Sequence, residues 1–351
     1  MVVEETIKIN EMKIKFNVIV GNPPYQDTRE KTSDNPIYHL FMDIAYKLSE
    51  KVMLITPGRF LFNAGKTPNE WNEKMLNDKH FKVVSYNSKS REVFPDIDLK
   101  GGIVITLRDN KQTFEKVNVF SKFKELNSIL QNVINFSDFE SIESQVYTQN
   151  KFDLNSLYKD YPEFNKIIGS DGKEKRLTTS IFVQLPIFTE VKTSKNDLYI
   201  LGLIKNIRTY RYVPFHYIEA HSNLSKYKVI LPKSNGAGTF GEVLSTPLIG
   251  NPLVGYTQSF ISIGSFNTKV EAEFCLKYLK SKFVRAMLGA LKVTQDNNKD
   301  VWKYVPLQNF TSESDIDWTK SNKEIDRQLC AKYKLTIEEI EFIETMIKPM
   351  D

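Results

Sequence analysis

The chain has 351 residues, of which 41% are hydrophobic and 26% charged, a composition typical of a globular protein with room for two ordinary domains. No apolar run approaches the roughly 20 residues that a membrane-spanning helix needs, and the first residues do not resemble a secretory signal, so we expect a cytoplasmic protein. The formal net charge of +5 favours a polyanionic partner only weakly, because many metabolic enzymes have a similar balance.

The first third of the chain alternates short β-branched runs with helical patterns. Residues 16–21, which end on Gly21, predict a buried strand that runs into a loop. Residues 37–48 repeat apolar side chains at helical spacing, with Asn35 and Pro36 as cap and first turn. Further strands are predicted at 52–56, 82–86 and 102–107, and the end of a helix at 71–76. This alternation predicts one half of an open α/β sheet.

The pattern changes after residue 108. Residues 123–133 predict a helix, and the polar stretch 137–157 predicts a linker, which places a domain boundary near residue 150. Beyond it, strands are predicted at 180–185, 227–231 and 259–263, and helices at 270–279, 283–291 and 337–347, the last with Thr336 as its cap. The sequence therefore predicts an α/β domain followed by a β-rich mixed domain.

The tetrapeptide Asn22-Pro23-Pro24-Tyr25 follows the first predicted strand. The Asn22 side-chain oxygen and the Pro23 carbonyl can accept both protons of an amino group, while the two prolines stiffen the loop. Tyr25 adds a ring on which a planar group can stack. Taken alone, the tetrapeptide is equally consistent with an ordinary turn, because Asn-Pro and Pro-Pro are turn formers.

The surrounding residues make the match specific. The run Val18-Ile-Val-Gly-Asn22-Pro-Pro-Tyr25 resembles the catalytic motif of amino-methylating DNA methyltransferases of bacterial restriction-modification systems, in the order where target recognition follows catalysis. Asn as its first residue favours adenine as the target. Similarity to that family continues in 35–46, 54–61, Glu92-Val-Phe94-Pro95 and Lys100-Gly-Gly-Ile103, and in the recognition region at 247–260, 291–295 and 302–306.

The resemblance implies a DNA adenine-N6 methyltransferase that uses S-adenosylmethionine. The catalytic part would be a partial Rossmann-like methyltransferase sheet in residues 1–150, and a β-rich α+β target-recognition domain would occupy residues 151–351. Such an enzyme turns the target base out of the duplex and holds it between side chains. The implied catalytic residues are Asn22, Pro23, Pro24, Tyr25 and Phe94, although Phe94 could instead fill the core under the sheet. The implied cofactor-binding residues are Asn22, Pro36, Tyr38 and Phe41.

One feature of the family is missing. Its glycine-rich methionine-binding loop, an aromatic-x-Gly-x-Gly pattern, normally lies well upstream of the catalytic motif, and none precedes Asn22 here. The glycine-rich stretch Asn235–Gly241 lies in the recognition half and lacks a strand-to-helix setting. We therefore expect an incomplete cofactor site in a fragment, a split enzyme or a degenerate copy. The alternative function is a non-catalytic DNA-binding specificity module that depends on a separate cofactor-binding segment or restriction subunit.

Residues 205–233 alternate cations with aromatics, as a nucleic-acid-binding face does. The candidate contacts to double-stranded DNA are Arg208, Arg211, Lys226, Lys228 and Lys233, and a solvated β-surface is the alternative. The four histidines and the two cysteines, Cys275 and Cys330, show no metal-ligand spacing, so no metal is expected. Similar catalytic motifs occur in methyltransferases that act on protein glutamine or on RNA, but the long β-rich second half argues against those substrates.

Overall fold

The computed structural model describes residues 16–27, 35–63, 66–96, 99, 101–168, 174–236, 238–292 and 295–350. The chain divides into two compact units, residues 1–127 and 128–351. Within the described residues, the first unit contains a four-stranded and a two-stranded sheet, and the second contains a four-stranded and a three-stranded sheet. Helices accompany the sheets in both units, which confirms a mixed α/β protein.

The first unit is built on a mixed sheet of four strands. They are β1 (Phe16–Gly21), β4 (Ser49–Pro57), β5 (Phe81–Asn87) and β6 (Ile103–Asp109), in the order β1-β4-β6-β5, and each of them was predicted from the sequence. β1 and β4 run parallel, whereas β6 is antiparallel to both of its neighbours. The short strands β2 (Gln26–Asp27) and β3 (Asn35–Pro36) pair with each other and are separate from this sheet.

One face of the sheet is covered by two helices, α1 (Tyr38–Leu48) and α2 (Asn69–Leu76). Met42 of α1 and Trp71 of α2 share a core with Phe81 and Val104 of the sheet. A 3₁₀ turn at Arg59–Phe62 adds Phe60, which is fully buried. Removing these side chains from water stabilises the unit by roughly 1.5 to 3 kcal/mol for each large residue.

The sequence predicted the bounds of α1 to within one residue, but not all of the apolar side chains in its helical repeat are buried. Leu40 and Phe41, which belong to that repeat, are 38% and 40% exposed. The buried stripe consists instead of Tyr38, Met42 and Ala45, which also follow each other at helical spacing. Asn35 and Pro36 form β3 rather than a cap, and the residue before the helix makes no side-chain cap bond.

β1 is an outer strand of the sheet, and one of its faces is exposed. Phe16, Val18 and Val20 are 51%, 52% and 72% exposed, whereas Ile19, on the other face, packs against the core. The prediction of a strand at 16–21 is confirmed, but the prediction that it is buried is wrong. Strands in parallel pairing are usually covered on both faces, so an apolar face this open is unusual.

The second unit contains seven described strands in two sheets. They are β7 (Val146–Tyr147), β8 (Asp197–Ile204), β9 (Ile207–Pro214), β10 (Tyr227–Pro232), β11 (Leu248–Gly250), β12 (Val254–Tyr256) and β13 (Phe260–Phe266). One sheet has the order β11-β10-β13-β7 and the other β12-β8-β9. The predicted strands at 227–231 and 259–263 are confirmed as β10 and β13. The long hairpin of β8 and β9 was not predicted.

Helices of the second unit surround these sheets. After α3 (Lys124–Ile134), which spans the division between the units, they are α4 (Leu154–Asp160), α5 (Asn165–Ile168), α6 (Ile181–Gln184), α7 (Lys269–Lys280), α8 (Lys282–Leu288), α9 (Asn322–Lys332) and α10 (Ile337–Met346). Short 3₁₀ turns lie at Ser90–Glu92, Ile142–Gln145, Pro162–Phe164, Phe215–Tyr217 and Lys299–Trp302. Thr336 caps α10 by accepting a hydrogen bond from the Glu339 amide, as predicted.

Two predictions for the second half of the chain need correction. The stretch 137–157 is not a linker, because the Ile142 amide donates to the Val305 carbonyl at 2.9 Å and β7 pairs with β13. The two compact units divide between residues 127 and 128, and the domain boundary near residue 150 stays a prediction. The predicted strand at 180–185 is the helical turn α6, in which the Leu185 amide donates to the Ile181 carbonyl at 3.0 Å.

No helix in the described parts of the chain is both long and apolar enough to span a membrane.

Candidate active site and nucleic-acid interface

The loop Asn22–Tyr25 leaves the carboxyl end of β1, and backbone contacts fix both of its ends. Before the loop, Gly21 lies opposite Leu54 of the parallel strand β4. After the loop, Gln26 pairs with Pro36, and the Ile37 amide donates to the Tyr25 carbonyl at 3.1 Å. The loop is therefore tied to the residues that lead into α1. Ligands of open α/β sheets bind at the carboxyl ends of parallel strands, which is where this loop lies.

The side chains of Asn22 and Tyr25 lie close together in this loop. Asn22 is exposed, whereas Tyr25 is half-buried and its hydroxyl oxygen makes no hydrogen bond of standard geometry within the described residues. Burial raises the pKa of the Tyr25 phenol, while the neighbouring Asn22 side chain acts in the opposite direction. The arrangement leaves an amide oxygen open to a ligand beside an aromatic ring, so it can accept hydrogen bonds from a planar amino group.

The other loops at this edge of the sheet are packed around glycines. The Gly58 amide donates to the Gly102 carbonyl at 3.0 Å, which joins the end of β4 to the start of β6. Gly102 has φ of +68°, and a side chain there would collide with the Asn87 backbone oxygen. The segments around Pro57 and Gly101, which carried part of the family resemblance, are therefore neighbours in the structure.

Phe94 lies in the connection between β5 and β6, at the same edge of the sheet as Asn22–Tyr25. Asn87 and Pro57 both face Ile103 across the sheet, so the chain enters and leaves this connection beside the carboxyl end of β4. The Phe94 amide donates to the Ser90 carbonyl at 2.8 Å, and the Ser90 hydroxyl accepts a hydrogen bond from the Leu99 amide at 2.8 Å. Ile97, Asp98 and Lys100 of this connection lie outside the described residues.

Phe94 is half-buried and does not belong to the core of the unit. β1 and β5 are the two outer strands of the sheet, so their ends are separated by three strand spacings, or about 14 Å. Within the described residues, the rings of Phe94 and Tyr25 do not contact each other. The structure thus brings the two predicted clamp residues to one edge of the sheet without joining them.

The four predicted cofactor-binding residues differ in accessibility. Asn22 is exposed, Phe41 is 40% exposed, and Pro36 is half-buried in its pairing with Gln26. Tyr38 is only 3% exposed, and burial raises the pKa of its phenol to about 12. The prediction for Tyr38 is therefore corrected, because its side chain is part of the core.

The arginines proposed to contact DNA are held in protein contacts. Arg208 donates to the Thr246 carbonyl at 2.7 Å, and Arg211 forms an ion pair with Glu190 at 2.7 Å. The two residues lie three apart on β9 and therefore point to opposite faces of that strand.

The three candidate lysines also lie in different surroundings. Lys226 donates to the Asn267 side chain at 2.5 Å. Lys228 is fully buried and donates to the carbonyls of Leu224 and Val254 at 3.3 and 3.0 Å. Burial lowers the pKa of Lys228 to about 7. The prediction that Lys228 binds DNA is wrong, because its ammonium group cannot reach a phosphate.

Lys233 is half-buried and lines a cleft of the second unit together with three cations that the sequence pattern did not indicate: Lys151, Lys175 and Arg176. They come from separate parts of the chain, so no local spacing could have indicated them.

The glycine-rich stretch Asn235–Gly241, of which Ala237 is not described, lies between β10 and β11 and not between a strand and a helix.

Both cysteines are buried, Cys275 in α7 and Cys330 in α9. Their thiols have raised pKa values because burial disfavours the thiolate. Over the described ranges, no group of three or more His, Cys, Asp or Glu side chains is arranged to hold a metal ion.

Residues 3–94 match a family model described as Eco57I restriction-modification methylase. This range includes the loop Asn22–Tyr25 and Phe94, so the resemblance to restriction-modification methylases is confirmed for this part of the chain. A curated relative from Mycoplasma pneumoniae, described as an uncharacterized adenine-specific methylase, is 31% identical over 112 residues. That match covers 30% of this chain and 26% of the relative.

Two solved structures resemble the chain distantly. The type IIG restriction endonuclease BpuSI has a TM-score of 0.33 and 11% identity, with 98% of this chain and 51% of that chain covered. The type IIL restriction-modification enzyme MmeI, in complex with DNA, has a TM-score of 0.35 and 10% identity, with 99% of this chain and 58% of that chain covered. This chain therefore spans little more than half the length of either.

Proposed function

We propose that this chain carries the target-amine site of a DNA adenine-N6 methyltransferase of a restriction-modification system. The observation that carries the proposal is the position of Asn22–Tyr25 at the carboxyl end of a parallel strand, with Asn22 exposed beside the Tyr25 ring. The match of residues 3–94 to a restriction-modification methylase family supports the same function. In this proposal, the sheet of the first unit is part of a Rossmann-like methyltransferase sheet, and the second unit recognises the DNA sequence.

The chemistry requires the loop to make a weak nucleophile reactive. The lone pair on the adenine amine is delocalised into the ring, so the amine needs acceptors that hold its two protons and favour attack. The Asn22 oxygen and the Pro23 carbonyl are suited to this role, and Pro24 restricts the loop between them and Tyr25. S-adenosylmethionine would supply an activated methyl group. Asn22 and Phe41 are exposed enough to contact it, together with Pro36.

The target base must leave the duplex before its amine can reach Asn22. Tyr25 would stack on the base, since its phenol lies close to the Asn22 side chain. Phe94, which lies at the same edge of the sheet, is the residue that we propose for the other face of the base. Each stacking contact stabilises the extrahelical base by about 1 to 3 kcal/mol.

A second candidate is a DNA specificity module whose cofactor site is supplied by a separate polypeptide segment or a restriction subunit. The observation that favours it is the open face of β1, where Phe16, Val18 and Val20 are all more than half exposed. An added segment that packs on this face would bury these three side chains. The two candidates share the target loop and differ in whether this chain alone binds S-adenosylmethionine.

Two measurements on the purified chain separate the candidates. Calorimetry measures S-adenosylmethionine binding, and a labelled-methyl assay measures transfer to duplex DNA. Cofactor binding with transfer to adenine supports the methyltransferase, whereas DNA binding without either favours the specificity module. Absence of DNA binding, or transfer to protein or RNA instead, would contradict both.

A further inference from the structure

A cleft in the second unit collects positive charge. Its walls include the side chains of Lys151, Lys175, Arg176 and Lys233, together with the amides of Gln149 and Gln258, and its volume is about 350 Å³. Ligand sites in proteins have volumes of roughly 300 to 1,000 Å³, so the cleft is large enough for a phosphate group with its attached sugar.

Backbone hydrogen bonds hold the walls of the cleft together. Lys151 and Arg176 form an antiparallel bridge, and the Phe152 amide donates to the Lys175 carbonyl at 2.7 Å. The Gln258 amide donates to the Leu177 carbonyl at 2.8 Å, and the Lys233 amide donates to the Ser259 carbonyl at 2.8 Å. The cations are therefore presented by a fixed backbone, which lowers the entropic cost of binding a ligand.

The cleft has more positive charge than its own acidic groups can neutralise. Lys175 forms an ion pair with Glu219 at 2.6 Å. Lys151, Arg176 and Lys233 have no carboxylate within 4.0 Å among the described residues, and Glu174 is the acidic side chain in the described lining. One acid against three unpaired cations leaves a net attraction for an anion.

The lining also indicates which anion the cleft would select. Ammonium and guanidinium groups only donate hydrogen bonds, and the side-chain amides provide further donors. Phosphate oxygens accept several such bonds at once, whereas a base edge presents donors as well as acceptors. No aromatic ring is part of the described lining, so the cleft provides no stacking surface for a base.

We propose that this cleft binds a backbone phosphodiester of the duplex DNA that carries the target adenine. The proposal rests on the proposed function in naming DNA as the ligand, and it places a phosphate contact at Lys151, Arg176 and Lys233. Of these, only Lys233 was suggested by the sequence. The contact positions the duplex and carries no sequence information itself.

The test compares two triple variants that remove the same charge. K151Q/R176Q/K233Q neutralises the cleft, and K299Q/K323Q/R327Q neutralises two lysines and one arginine that are exposed elsewhere in the second unit. Fluorescence anisotropy with a 30-base-pair duplex at several salt concentrations gives the slope of log Kd against log salt. Each phosphate contact contributes about 0.9 to this slope. We expect the cleft variant to lose about one unit of slope and at least about tenfold in affinity, while the control keeps its slope.

Equal loss in both variants would assign the effect to overall charge and overturn the proposal, as would an unchanged slope in the cleft variant. Thermal melting checks that each variant is folded. If the triple variant unfolds, the double variant K151Q/R176Q, which changes only exposed side chains, replaces it in the comparison. Calorimetry with inorganic phosphate at matched ionic strength tests the other source of the ligand. If the cleft variant loses phosphate binding while its DNA affinity is unchanged, the ligand of the cleft is a free phosphate anion and the proposed DNA contact is overturned.

The outcome is distinguishable from failure of the proposed function. If a cleft variant transfers methyl groups and its salt slope is unchanged, only the proposed phosphate contact at the cleft is overturned. A cleft-dependent salt slope in a protein that transfers no methyl group to DNA would overturn only the assigned reaction.

Discussion

The loop Asn22–Tyr25 and the basic cleft are assembled in different ways. The loop consists of consecutive residues that β1 and the start of α1 hold by backbone contacts. The cleft takes its cations from chain segments near residues 151, 175 and 233, which meet only because the backbone of the second unit brings them together. A site of the first kind is encoded locally, whereas a site of the second kind depends on the complete fold.

The largest effect should come from the local site. Asn22→Ala removes one acceptor for the target amine, and loss of a hydrogen bond made in the transition state typically costs about 3 kcal/mol, or roughly 10²-fold in kcat. DNA affinity should be nearly unchanged because the phosphate contacts remain. Single-turnover methylation and anisotropy measure the two quantities in the enzyme that contains this chain. Asn17→Ala, which changes an exposed asparagine of β1, is the control. An equal loss of kcat in Asn17→Ala would show that the Asn22 side chain has no specific role in the reaction.

The packing of the sheet edge at this site can be tested through stability. Gly102→Ala should lower the free energy of unfolding by about 2 kcal/mol or more, because Gly102 has φ of +68° and no room for a Cβ. Gly21→Ala should cost less than about 1 kcal/mol, since its Cβ would meet its nearest neighbour at 3.7 Å. Urea denaturation measures both. Similar losses of unfolding free energy in the two variants would show that the packing of the β4 and β6 ends does not restrict the side chain at residue 102.

The clamp residues should act on base flipping rather than on the chemical step. Tyr25→Ala and Phe94→Ala should each weaken the extrahelical state by about 1 to 2 kcal/mol, and a mispaired target should restore part of the loss. Fluorescence of 2-aminopurine at the target position reports the flipped state. Val93→Ala changes an exposed apolar neighbour of Phe94 and serves as control. Equal fluorescence in wild type and both clamp variants would show that neither ring stacks on the base.

The charge state of Lys228 in the second unit can be tested through the pH dependence of stability. Its pKa is lowered to about 7 in the folded protein, so between about pH 7 and pH 10 the unfolded chain binds more protons than the folded chain. Stability should therefore rise with pH over this window, by at most about 1.4 kcal/mol per pH unit from this group. Urea denaturation should show a smaller rise for Lys228→Met than for wild type. An identical pH dependence would mean that Lys228 titrates normally.

The sequence predicted the strands of the first unit and the loop Asn22–Tyr25 because both depend on local patterns. It did not predict that β1 is exposed, since a run such as Phe16-Asn-Val18-Ile-Val20 has the same composition whether or not another segment covers it. The repeat in α1 likewise did not indicate which of its apolar side chains are buried, because two apolar stripes run along that helix. Lys228 was misplaced because alternating cations indicate a solvated strand, whereas its side chain points inward.

We propose above all that Asn22–Tyr25 holds the N6 amine of adenine in DNA. The most direct test is nucleoside mass spectrometry on genomic DNA from cells that make this protein, compared with the same cells carrying Asn22→Ala. We expect N6-methyladenine in the first sample and its loss in the second, with other modified nucleosides unchanged. N6-methyladenine that persists in the Asn22→Ala cells, or N4-methylcytosine that disappears instead, would contradict the claim.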